Sequence, residues 1–127
     1  MNLANATIGQ LMIPVDDVDR AIVFYRDVLG LPFLFAASPQ MAFFMCGQVR
    51  LLVGVLPPGQ QPQRGSAIYF NVDDIGAMHA ALAAQGVVFA HPPHVVHSTA
   101  QSQLWLAQFT DPDGNPLLLM SEVAVGA

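Results

Sequence analysis

Three histidines in one short segment, His91, His94 and His97 of "HPPHVVHS", are the first residues whose type suggests chemistry. Neutral imidazole ligates divalent metals and exchanges protons near neutral pH. Their spacing of three, on a regular extended strand, sends successive members to opposite faces, so the sequence predicts no chelate from them. The fourth histidine, His79, falls in a helical stretch apart from the other three. His97 and Tyr69 are the two residues left as candidates for acid–base catalysis. A general base needs a carboxylate or carbonyl to orient it, and none stands near His97 in the sequence. Asp111 and Asp113 form a carboxylate pair, but in "DPDGN" the proline and glycine make them turn formers. The single cysteine, Cys46, sits in the apolar run "MAFFMCG" and reads as a small buried hydrophobe without a disulfide partner.

Composition removes several function classes. The 127 residues carry four arginines and no lysine against nine acidic residues, a formal net charge of −5. Nucleic acid and anionic membrane surfaces both require a basic patch, so neither is an expected partner. Without lysine there is no Schiff-base chemistry. No apolar run approaches the roughly 20 residues that span a bilayer, and the start "MNLANATIGQL" has no signal-peptide pattern, so a cytoplasmic protein is expected. An apolar content of 54% suffices for one compact domain and hints at a surface buried in an oligomer.

The elements that must position these residues come from a repeat. "VDDVDRAIVFYRDVLGL" starts at Val15 and "VDDIGAMHAALAAQGV" at Val72. Before each copy runs a strand-like segment, Ile8 to Ile13 and Ala67 to Asn71. Asp17 and Asp74 are placed to cap the helices that follow, and Gly30 and Gly86 to end them. The apolar stripes Ala21, Phe24, Tyr25, Val28, Leu29 and Ile75, Met78, Leu82 face a core. Three extended runs then follow each helix: Phe33 to Ala37, Met41 to Cys46 and Val49 to Val55; then Val87 to Ala90 with an extension toward His97, Leu104 to Phe109, and Pro116 to Ser121. Glu122 is expected just beyond the last of them. The organisation is βαβββ twice, with a first module over about 5–56, a Pro/Gly/Gln linker over about 57–65 and a second module over about 66–122.

These residues, with "FTDPDGNPLLLMSE" near the end, resemble the vicinal oxygen chelate superfamily of glyoxalases, bleomycin-resistance proteins and extradiol dioxygenases. The resemblance covers nearly the whole chain. It implies an α+β fold, a single domain of two βαβββ modules whose curved mixed sheets enclose a cavity, commonly across a homodimer. It also implies one divalent metal held by two side chains from each module. Seven residues before the capping Asp17 stands Gln10, a possible donor. The matching position of the second module is Ala67, and the last-strand positions are Leu52 and Leu118, none of which can bind a metal. The sequence therefore predicts no metal ligands and no cofactor.

Strand alternation then gives the inward set. Ile8, Gln10 and Met12, Arg50, Leu52 and Gly54, Ala67, Tyr69 and Asn71, and Leu118 and Met120 share the ligand side. Trp105 joins them only if its strand turns that way, which "LWLAQF" leaves open. Gln10, Met12, Arg50, Leu52, Ala67, Tyr69, Asn71, Trp105, Leu118 and Met120 are accordingly the expected ligand-binding residues. They suit a small apolar or aromatic molecule held by a few hydrogen bonds. The expected function is a small-molecule-binding protein resembling the bleomycin-resistance branch. The alternative is a glyoxalase, epimerase or dioxygenase relative with a non-standard metal site or with metal-free chemistry through His97 and Tyr69.

Overall fold

The structure is a computed structural model describing residues 1–62 and 66–125; the last three linker positions, 63–65, lie outside the described residues. The chain divides into two compact units, Met1–Gln63 and Arg64–Ala127. In the first, β1 (Gln10–Pro14) leads to α1 (Val18–Ile22), which continues as a π-helical segment (Val23–Val28). β2 (Phe33–Ser38), β3 (Met41–Cys46) and β4 (Val49–Gly54) follow. The second repeats the plan with β5 (Ile68–Asn71), α2 (Ile75–Ala84), β6 (Phe89–Ser98), β7 (Ser102–Thr110) and β8 (Pro116–Ala124).

Each unit forms one mixed four-stranded sheet, ordered β1-β4-β3-β2 and β5-β8-β7-β6, with the first and last strands parallel. A parallel neighbour needs a crossover, and the helix after the first strand supplies it. The helix starts are fixed by their caps. Asp17 accepts the backbone N–H of Arg20 at 3.1 Å, and Asp74 accepts that of Ala77 at 3.0 Å. Gly30 and Gly86, at φ of 76° and 93°, take the left-handed conformation that ends each helical stretch.

One face of each sheet packs under its helix. In the first unit Ile13, Ala42, Phe44, Leu51 and Val53 are buried, as are Ala21 and Tyr25 of the helical stretch. In the second Ala107, Phe109, Leu117 and Leu119 are buried with Ile75 and Leu82 of α2. The helical stripes depart from their expected form. Leu29 N–H donates to the Phe24 carbonyl five residues back, so each turn is wider than an α-turn, and Phe24, Val28 and Leu29 end half-buried beside fully buried Tyr25. On α2, Met78 is exposed, and it is His79 that lies against the sheet, its ring 4.4 Å from that of Phe89.

Several strand limits also move. Ile8 and Ala67 fall just before β1 and β5, while β8 runs on to Ala124 and takes in Glu122 opposite Leu104. The ladder explains that correction: β7 starts at Ser102, so β8 finds partners as far as Ala124.

Candidate functional site

The face of each sheet away from its helix is where the expected ligand-side residues collect. In the first unit the β1–β4 register pairs Gln10 with Arg50, Met12 with Leu52 and Pro14 with Gly54. Paired residues share a face, so β3 adds Met41, Phe43 and Met45 and β2 adds Phe35. The outcome is an apolar surface with Phe35 about half exposed and its ring 4.9 Å from Phe43. At one end stands Arg50. Its Nε donates to Oε1 of Gln10 at 2.8 Å, and its guanidinium carbon lies 5.0 Å from the centre of the Phe43 ring. Both contacts hold an exposed cation in one place.

In the second unit, Tyr69 pairs with Leu118 and Asn71 with Met120, and β7 adds Leu104, Leu106 and Gln108 to the same face. Tyr69 is half exposed, and Leu118 is buried. Trp105 separates from this group. It pairs with Ser121 and Val95 and so lies on the other face, in line with buried Ala107 and Phe109. Strand alternation could not decide this from sequence, because both trios of "LWLAQF" are mostly apolar.

The histidines depart from expectation in the opposite sense. β6 has register shifts between Phe89 and His91, between His91 and His94, and between Val95 and His97. Each shift inserts residues into the strand, and together they set His91 opposite Gln108, His94 opposite Leu106 and His97 opposite Leu104. All three therefore come to the face that a regular strand would have denied one of them. The His91 and His94 rings are 6.0 Å apart, and His94 Nδ1 is 2.8 Å from the Pro92 carbonyl oxygen. Among the described residues, no group of three or more His, Cys, Asp or Glu side chains is placed to hold a metal.

The acid–base pair His97 and Tyr69 is not assembled. Tyr69 lies on edge strand β5 and His97 on the opposite edge β6, with β8 and β7 between them. Three strand spacings separate them by about 14 Å at least, too far for direct proton exchange. No hydrogen-bond partner orients the His97 ring among the described residues. Asp111 behaves as a turn former: it is buried, and its Oδ1 accepts the backbone N–H groups of Asp113 and Asn115 at 2.9 and 2.8 Å.

The four positions at which the resemblance implies metal donors can be compared between units. Gln10 lies two residues before Met12, the partner of Leu52, and Ala67 lies two residues before Tyr69, the partner of Leu118. The register thus makes Gln10 and Leu52 the counterparts of Ala67 and Leu118, as the repeat alignment requires. The donor set does not fit a divalent metal. Three of the side chains are hydrocarbon, and the amide oxygen of Gln10 already accepts from a guanidinium, whose charge repels a second cation.

A groove of about 500 Å³ at the start of α2, lined by Asn71, Val72, Asp73, Asp74, Ala77, Met78 and Ala81, escaped the sequence reading. Its signal was the exposed acidic and small-residue side of the helix, which resembles any solvated helix face. No helix among the described residues is long and apolar enough to cross a membrane.

Comparison with known proteins bears on the whole frame. A glyoxylase-like domain-containing protein of Didymella fabae is 33% identical over 86 residues, covering 62% of this chain and 67% of that protein. Among solved structures, lactoylglutathione lyase from Agrobacterium tumefaciens superposes with a TM-score of 0.73 at 24% identity, over 91% of this chain and 93% of that one. A glyoxalase/bleomycin resistance protein/dioxygenase superfamily member from Sphaerobacter thermophilus gives 0.72 at 25% identity, over 91% and 97%. TnmS3, an antibiotic binding protein from a Streptomyces species, gives 0.72 at 24%, over 94% and 98%. The family model matches residues 7–119, from before β1 into β8. With that match, and with the βαβββ plan present in both units, the chain belongs to the Glyoxalase/Bleomycin resistance protein/Dioxygenase superfamily.

Proposed function

We propose that this chain is a small-molecule-binding member of its superfamily that works without the usual divalent metal centre and holds an apolar or aromatic ligand against its open sheet faces. The observation that carries this reading is the state of the four donor positions: Leu52, Ala67 and Leu118 offer no lone pair, and Gln10 is engaged by Arg50. Without a metal there is no Lewis acid to stabilise an enediolate or to activate oxygen, so binding is the work left to these faces. Met12, Leu52 and Phe35 supply apolar contact in the first unit, as do Met120 and Leu106 in the second. Gln10, Arg50, Tyr69 and Asn71 supply a few polar points, the pattern of sites that take small organic molecules. The antibiotic binding protein among the fold neighbours is in keeping with sequestration as the biological role. We place the protein in the cytoplasm as a homodimer, in line with its apolar composition and single unpaired cysteine.

The test is metal content by mass spectrometry on untagged protein, followed by thermal unfolding with added Ni(II), Zn(II), Fe(II) and Mn(II). Far less than one metal per chain, and no rise in unfolding temperature with any ion, is the expected result. Near-stoichiometric metal that stabilises the fold would overturn the reading and return the protein to the lyase or dioxygenase side of its family.

A further inference from the structure

Arg50 and Gln10 are register partners on β4 and β1, and both are exposed. Oε1 of Gln10 accepts the Arg50 Nε–H at 2.8 Å, and the guanidinium is thereby fixed on the open face of the sheet. A guanidinium is a permanently charged, planar hydrogen-bond donor whose geometry matches a carboxylate. We infer that this guanidinium is an anchor for an oxyanion, and that the ligand of the first unit is an aromatic or apolar molecule bearing a carboxylate. The inference rests on the proposed binding role of the open faces.

Three features of the face carry it. First, Arg50 is the single Asp, Glu, Lys, Arg or His residue in β1 to β4, so nothing on these strands neutralises it. The four aspartates of the unit, Asp16, Asp17, Asp19 and Asp27, lie in the helical stretch and its cap region. Second, among the described residues the guanidinium donates only through Nε. Among the described residues its two terminal nitrogens have no hydrogen-bond partner, and these are the donors that grip a carboxylate as a fork. Third, the head group is already ordered, tied to Gln10 at one edge and lying over Phe43 on one side. A ligand therefore does not have to freeze a long flexible side chain. Beyond Phe43 the half-exposed ring of Phe35 extends the apolar platform, which suits the aromatic part of such a ligand. The overall negative charge of the chain works against anion capture at long range, so recognition depends on this local contact.

The experiment is isothermal calorimetry on the full chain with two probes of nearly the same shape, 2-naphthoate and the uncharged 2-acetylnaphthalene, against wild type, Arg50→Met and Gln10→Ala. The expected result is naphthoate binding about tenfold or more tighter than acetylnaphthalene to wild type, a gap lost in Arg50→Met and narrowed in Gln10→Ala. Raising the salt is expected to weaken naphthoate selectively. Equal binding of both probes to wild type, or a gap that survives Arg50→Met, would overturn the inference while leaving the binding role intact. Binding of neither probe would overturn both. Thermal unfolding of each variant, expected within a few degrees of wild type, separates loss of binding from loss of fold.

Discussion

Arg50 and Gln10 are register partners of the parallel β1–β4 pair, and the guanidinium of one donates to the amide oxygen of the other at 2.8 Å. Both residues are exposed, so the contact trades one hydrated arrangement for another and orders the cation more than it stabilises the fold. Arg50→Met is expected to cost less than about 1 kcal/mol in chemical denaturation, counting both the lost hydrogen bond and the lost contact with Phe43. A larger loss would make Arg50 a structural residue first.

Asp111 is the opposite case. It is 4% exposed, and one oxygen accepts two backbone N–H groups while the other accepts Nδ2 of Asn115 at 2.8 Å. Asp111→Ala removes an acceptor from donors that stand in a tight turn leading into β8. The expected loss is about 2–4 kcal/mol of unfolding free energy in chemical denaturation, with Asp111→Asn in between because it keeps one accepting oxygen.

What the sequence made legible was whatever local chemistry settles. Asp17 and Asp74 as caps, Gly30 and Gly86 as stops, and "DPDGN" as a turn each follow from a few adjacent residues. The faces of β1, β4, β5 and β8 became legible once the resemblance fixed one position in each strand, because runs such as "VRLLVG" and "PLLLMS" show little apolar alternation of their own; the register does group Gln10 with Met12, Arg50 and Leu52. The contact between Gln10 and Arg50 was not, because those residues are 40 positions apart and meet only through strand register. The bulges of β6, the π winding beside Tyr25 and the side taken by Trp105 depend on how neighbouring segments pack, which no local pattern encodes.

Cys46, in β3 and partly buried, has its thiol pushed above the ordinary cysteine range by burial, because a thiolate there would lose hydration. Its reaction with a disulfide reagent such as DTNB at neutral pH is expected to be slower than that of a free cysteine peptide, and to reach the peptide's rate in denaturant. The sign for stability follows from which state holds the proton. Above the ordinary thiol pKa the unfolded chain releases its proton before the folded one, so stability is intact at neutral pH and falls as the pH rises toward the folded value. Cys46→Ala is expected to remove that alkaline decline. A decline of the same size in the variant would assign it to another group.

The three register shifts of β6 have a cost in local stability. β6 is an edge strand of its sheet, Pro92 and Pro93 offer no N–H, and each shift leaves a residue without a ladder partner between Phe89 and His97. Bulges and prolines are also what keep such an edge from pairing with a second chain. Amide hydrogen exchange followed by NMR is therefore expected to run at least about tenfold faster at Ala90 and Val96 than at Ala107, Phe109 and Leu118 in the neighbouring strands. Because the same shifts bring His91, His94 and His97 to one face, protection of those β6 amides comparable to β7 would mean a regular strand. In a regular strand, a spacing of three would again send successive histidines to opposite faces, and the row opposite Gln108, Leu106 and Leu104 would not form.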